Sequence, residues 1–192
     1  MSTSALVVID MLNPYDHRDA DALIESVQGV VDPLRRLLDD ARRRDDVRVL
    51  YVNDNYGDFS ADRRDIIDRA LNGRRPDLVE PVVPAPGCGF MSKVRHSAFY
   101  GTALEYLLSR EKVERVVLTG QVTEQCVLYS ALDAYVRHFR LTGGASERGR
   151  PAARAGRPLT FSARRRSRRG TSAGRSCSCR GSRRASNRRA PP

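Results

Sequence analysis

Residues 116–127 read VVLTGQVTEQCV, and no other stretch limits the fold so tightly. Apolar and β-branched residues run into Gly120, and a short polar turn follows. From Glu124 the pattern turns helical, with Cys126/Val127, Ser130/Ala131 and Ala134/Tyr135 recurring at three- and four-residue spacing. The reading is a buried strand, a tight turn and a helix with a thiol in its first turn. A helix N-terminus offers unpaired N–H groups and positive partial charge. Both lower the pKa of a thiol held there, and the thiolate is the nucleophile. A plain role fits the same residue, since a free cysteine is often just a small buried apolar side chain. Two further polar residues at strand ends, Asp10 and Lys93, tip the balance toward chemistry.

Residues 5–9, ALVVI, form a continuous apolar run of the kind that is buried on both faces of a sheet. It ends in Asp10, where open α/β sheets bind ligands; a structural role bonding loop N–H groups is the alternative. Residues 20–45 read as a helix that Pro33 should kink or split. VRVLYVN, residues 47–53, is a second strand, and a loop over 54–62 carries Phe59. Residues 62–71 form a short amphipathic helix through Ile66, Ile67 and Leu71. After a Pro- and Gly-rich loop over 76–89, a short strand at 90–92 leads into Lys93. Thr102 is an N-cap for a helix over 103–110, and residues 114–119 are the fourth strand. Strands alternating with helices predict a doubly wound, Rossmann-like, mostly parallel α/β sheet with helices on both faces. Right-handed crossovers then bring Asp10, Lys93 and Cys126 to one edge of the sheet.

Charge divides the chain in two. Residues 1–140 hold 19 Lys and Arg against 22 Asp and Glu, whereas residues 141–192 hold 15 Arg and the single acid Glu147. The first part therefore carries −3 and the second +14, which gives the +11 of the whole chain. Of these 52 residues, 42 are Arg, Ser, Ala, Gly or Pro, too few apolar groups to offset the entropy of ordering. Disorder is the expectation. Three origins compete for it: a nucleic-acid-binding tail acting non-specifically through phosphate, a linker or sorting segment, and an out-of-frame translation of a GC-rich gene. The frameshift reading is preferred, because Arg, Ala, Gly, Pro and Ser are specified largely by GC-rich codons, and a shifted frame in such a gene gives this mixture. No run of 18 apolar residues exists to span a membrane, and the N-terminus lacks the basic segment of a signal peptide. Cys88, Cys126, Cys177 and Cys179 show neither disulfide nor zinc spacing, which fits a reducing cytoplasm.

The segments VVIDMLN with Asp10, MSKVRHSAFYGTALEYLL with Lys93, and VVLTGQVTEQCV with Cys126 together resemble the isochorismatase-like cysteine hydrolase superfamily. The match is ordered and covers about 130 residues. The resemblance implies a cysteine hydrolase of the amidase branch, with Cys126 attacking an amide or ureido carbonyl, Asp10 moving the proton and Lys93 holding the charge. It also implies a cis peptide at Val122–Thr123 that aims backbone N–H groups at an oxyanion. Substrate would be a small molecule, with room for a homo-oligomer. No metal and no cofactor are expected, because the segment NDNYGDFSAD lacks a histidine and His17, His96 and His138 do not pair at ligand spacing. Tyr15, Phe59 and Tyr100 are candidates for the pocket wall. The family pattern should go on to a further strand and a closing helix; both are expected to be missing, leaving a domain over 1–140 and the edge of the fourth strand bare. Vinyl-ether hydrolysis of the isochorismatase type, and an inactive remnant with a basic tail, are the alternative functions.

Overall fold

The computed structural model describes residues 3–143. The chain begins with strand β1 (Thr3–Ile9) and helix α1 (Ala20–Arg42), followed by β2 (Val47–Asp54) and α2 (Arg63–Leu71). A one-turn helix α3 (Pro76–Val79) and a 3₁₀ turn (Glu80–Val82) lead to β3 (Gly89–Lys93). Then come α4 (Leu104–Arg110), β4 (Val113–Gly120), a π-helical turn (Thr123–Val127), α5 (Leu128–Val136) and β5 (Arg140–Gly143). The five strands form one all-parallel sheet in the order β3-β2-β1-β4-β5.

The alternation of a strand decides which helix each residue meets. Leu6 and Val8 face the layer built by α1, α2 and α3, where they join Val27, Val31, Leu34, Leu38 and Ile66. Ala5, Val7 and Ile9 face the other layer, with Leu104 and Leu108 of α4 and Ala131 and Ala134 of α5. A strand with both faces covered has no place for a polar side chain, which is why ALVVI is unbroken.

Pro33 does not split α1 as the sequence suggests. The helix runs through it in one piece. Pro33 and the Gly29 carbonyl it cannot bond both lie on the exposed side, while the buried stripe from Leu23 to Ala41 stays intact. Helix α4 begins one residue later than expected, at Leu104. Thr102 still serves its start, accepting a hydrogen bond from the Leu104 N–H at 3.2 Å while its own hydroxyl bonds Ala98 O at 2.6 Å.

One expectation is overturned. Residues 140–143 are not the beginning of a structureless tail but form β5, pairing with β4 from Arg115 to Leu118. The edge of β4 is therefore covered over that span. Phe139 stacks on Phe99 with ring centroids 6.1 Å apart, and Leu141 packs against the α4–α5 core. A composition count hides this, because two apolar residues placed in register are enough to seat a four-residue edge strand. The expectation of disorder for residues 144–192, and the closing helix sought there, lie outside the described residues. Among the described residues, no helix is long and apolar enough to cross a membrane.

Candidate active site

The strand order reverses direction between β1 and β4, where neighbouring connections leave in opposite senses and open a crevice at the carboxyl ends of the strands. Asp10 stands at the end of β1 in the left-handed backbone region, φ 53°, which Asp enters more readily than most residues. Its N–H donates to Val52 O at 3.2 Å and its Oδ1 accepts the N–H of Asp54 at 2.8 Å. Asn53 holds the loop that follows, accepting from Leu12 N at 3.0 Å and donating to Leu12 O at 3.2 Å. Lys93 closes β3 in register with Asp54 of β2. Parallel pairing thus turns sequence separation into adjacency: Lys93 Nζ lies 2.8 Å from Asp10 Oδ2 and 3.7 Å from Asp54 Oδ2.

The third residue arrives from β4. Gly120 has φ 134°, and a Cβ there would sit 1.9 Å from Ile9 O. Without one, the chain passes against β1, Gln121 N donates to Ile9 O at 3.0 Å, and the Gln121 side-chain amide bonds Asp10 O. The peptide between Gln121 and Val122 is cis, one position earlier than the sequence resemblance suggests for Val122–Thr123. Gln121 is pinned to β1 by backbone and side chain, so the chain reverses at the peptide directly after it, and Thr123 already opens the π-helical turn. Within that turn the N–H groups of Gln125 and Val127 both reach Val122 O at 3.2 Å. Cys126 is delivered with its Sγ 3.5 Å from Lys93 Nζ, the ammonium that also pairs with the Asp10 carboxylate.

All three are buried: Asp10 and Cys126 are 8% exposed and Lys93 is 1% exposed. Burial sets the electrostatics first. It pushes the Asp10 carboxyl above the usual carboxylate range, with the Lys93 ammonium pulling the other way. Burial also works against the charge on Lys93, but Asp10, Cys126 and Asp54 together outweigh it and hold the ammonium in place. For Cys126 the structure reverses the expectation of a lowered thiol pKa. Burial and the neighbouring Asp10 carboxylate push it up to about 12, more than Lys93 takes back. The sulfur sits inside a buried turn rather than at a bare helix end, so desolvation dominates. The thiol is thus held in its neutral form.

A fourth side chain reaches the sulfur. His96 Nδ1 lies 4.0 Å from Cys126 Sγ, and its ring packs on Tyr129 with centroids 5.5 Å apart. Unlike the other three it is exposed. Sequence reading set it aside by asking only whether it could share a metal; the available signal was its place between Lys93 and the Ser97–Ala98 pair. That pair is clamped to α5, which directly follows the turn that carries Cys126. Ser130 Oγ donates to Cys126 O at 2.6 Å and accepts the Ala98 N–H at 2.8 Å, while Ser97 Oγ bonds the Asp133 carboxylate.

The three aromatics suggested as pocket walls differ in burial. Phe59 is 83% exposed on its loop and Tyr100 is 61% exposed. Tyr15 is fully buried in the α1-side core, where Leu12 and Met11 also lie. Sequence could not place them, because a loop aromatic anchors a core and lines a pocket with the same residue type. Among the described residues, no group of three or more His, Cys, Asp or Glu side chains is arranged to hold a metal ion. Two surface concavities of about 450 Å³ each lie along 109–114 with 137–140, and along 14–16 with 69–74; neither contains Asp10, Lys93 or Cys126.

The fold is a doubly wound α/β sheet with Asp10, Lys93 and Cys126 gathered at its switch point. The isochorismatase domain matches residues 4–143, and the chain belongs to that family of hydrolases. It is 33% identical over 138 residues to the isochorismatase family protein YaaI of Bacillus subtilis, covering 72% of this chain and 76% of that protein. It is 30% identical over 145 residues to the maleamate amidohydrolase of Pseudomonas putida, covering 71% of this chain and 67% of the relative. The N-carbamoylsarcosine amidase of Thermoplasma acidophilum shares the fold with a TM-score of 0.57 and 29% identity, over 73% of this chain and 80% of that one.

Proposed function

We propose that this protein hydrolyses the C–N bond of a small amide or ureido compound through a thioester on Cys126. One observation carries the reading: an acid, an amine and a thiol from three different strand ends meet in one buried contact set, at 2.8 Å and 3.5 Å around Lys93 Nζ. The kinship with a maleamate amidohydrolase and an N-carbamoylsarcosine amidase points the same way.

The site suits the chemistry step by step. The Asp10 carboxylate, made more basic by burial, takes the thiol proton as the sulfur bonds the substrate carbonyl carbon. The tetrahedral intermediate collapses, the C–N bond breaks, and Asp10 returns the proton to the departing nitrogen. Water then opens the thioester to release the acid and restore the thiol. Lys93 keeps Asp10 ionised between steps. The N–H groups of Thr123 and Cys126 are assigned to the oxyanion, a role in which losing one donor typically costs about 3–4 kcal/mol of barrier. Two cysteines within the described residues, Cys88 and Cys126, are free thiols, consistent with work in a reducing compartment such as the cytoplasm.

The test is a panel of small amides and ureido acids incubated with the full-length chain, with intact-mass detection of the protein after rapid acid quench. An acyl adduct on Cys126, lost together with all amide turnover in Cys126→Ala, is the expected result. Turnover that survives Cys126→Ala overturns the reading and favours a thiol-independent reaction such as vinyl-ether hydrolysis.

A further inference from the structure

Besides the Lys93 ammonium, two groups near the reacting sulfur can carry a proton, and they stand on different sides of the solvent boundary. Asp10 is buried beneath it, held by Lys93 and by the N–H of Asp54. His96 is exposed, with Nδ1 4.0 Å from Sγ. The distance is not incidental to a mobile loop. Residues 97 and 98, which follow His96 directly, are bonded to Asp133 and Ser130 of α5, and Ser130 is bonded in turn to the carbonyl of Cys126 itself. The imidazole and the sulfur are thus tied to the same helix, and the Tyr129 ring backs the imidazole.

We propose that His96 is a further catalytic residue that serves the second half of the reaction: it takes the proton of the water that attacks the Cys126 thioester and delivers it to the departing sulfur. This rests on the thioester reading given above. Once the acyl group is attached, water comes from the exposed side, where His96 stands and Asp10 does not. The balance is complete without any other reagent. The water oxygen bonds the acyl carbon while one of its protons moves to Nδ1. The C–S bond then breaks, its electron pair goes to sulfur, and the imidazolium returns that proton to Sγ across the 4.0 Å gap. Imidazole is suited to taking and giving back one proton within a single turnover near neutral pH. Asp10 and His96 therefore divide the work, the first for acylation and the second for deacylation.

The probe is 4-nitrophenyl acetate, whose acylation step needs no proton for its leaving group. Full-length wild-type chain should release a burst of 4-nitrophenolate equal to the chain present and then turn over steadily. In His96→Gln the burst should keep its amplitude and rate, while the steady phase slows about 100-fold or more and S-acetyl-Cys126 accumulates by mass. Added imidazole should restore the steady phase of His96→Gly. Because His96 is exposed, both variants should keep the wild-type thermal transition, which is measured alongside. The proposal is overturned if His96→Gln leaves both phases unchanged, or if it slows burst and steady phase equally, as removal of a mere pocket wall would do. If the wild-type chain itself forms no acetyl adduct on Cys126, the thioester reading fails first, and that outcome is distinct from either of these.

Discussion

Lys93 Nζ lies 2.8 Å from the Asp10 carboxylate, with the lysine 1% and the aspartate 8% exposed. An ion pair taken this far from water is retained for what it does to its neighbours more than for net stability. Breaking it from one side leaves an uncompensated buried charge. Lys93→Met should therefore lower the unfolding free energy by about 3–5 kcal/mol, read from urea denaturation. Asp10→Asn combined with Lys93→Met should recover part of that loss, while neither variant recovers activity.

The thiol of Cys126 is the second measurable consequence. With its pKa pushed up to about 12, alkylation by iodoacetamide at Cys126 should be slow at neutral pH and accelerate from about pH 9 toward about 12. Removing the carboxylate charge with Asp10→Asn takes away a cause of the rise, so the acceleration should move to lower pH. Peptide mapping after alkylation follows the residue directly.

Linkage gives the same group an effect on stability. Its folded pKa is raised, so the folded state holds the proton more firmly than the unfolded chain does. The contribution is fully present below about pH 9 and is lost as the pH climbs to about 12. Buried Tyr15 and Tyr51, both also pushed up to about 12 by burial, act in the same sense from about pH 10. Thermal melts across this range should show a falling midpoint, and Cys126→Ser should flatten the earliest part of the fall.

Ser130 bridges Cys126 O and the N–H of Ala98. Ser130→Ala leaves that buried N–H without a partner, at a cost of about 1–3 kcal/mol. Unfolding midpoints should drop accordingly. Turnover should drop too, with the deacylation phase affected more than the burst, because the substitution frees the segment that positions His96.

Phe139→Ala should loosen β5 selectively. The ring stacks on Phe99 and introduces the strand that covers β4 from Arg115 to Leu118. Hydrogen exchange should quicken along β4 while the β1–β2 amides keep their protection.

The sheet and the three strand-end residues were legible because their signals are local. ALVVI admits no polar residue when both faces are covered, and a polar residue at the end of such a run marks the carboxyl edge. What escaped was set by tertiary placement. The thiol pKa depends on how deeply Cys126 is buried and on the Asp10 charge beside it, and neither is encoded in the VTEQC turn. His96 lies near the sulfur on a segment whose next residues, Ser97 and Ala98, are bonded to a helix more than 30 residues away in sequence. The cis peptide falls before Val122 because Gln121 is anchored to β1, a contact across 111 residues that no local pattern announces. Strand β5 was hidden by a tail whose composition drowns the few residues that matter.

At position 120 the β4 backbone approaches β1 closely enough to leave no room for even one carbon atom. A single-base change that is not silent turns a glycine codon only into a stop or into a residue that carries a β-carbon. Every missense change there therefore meets the same obstruction from Ile9, and it meets backbone, which cannot swing aside. Random mutagenesis of the gene, selected for a folded product, should return this codon altered only at its silent third base.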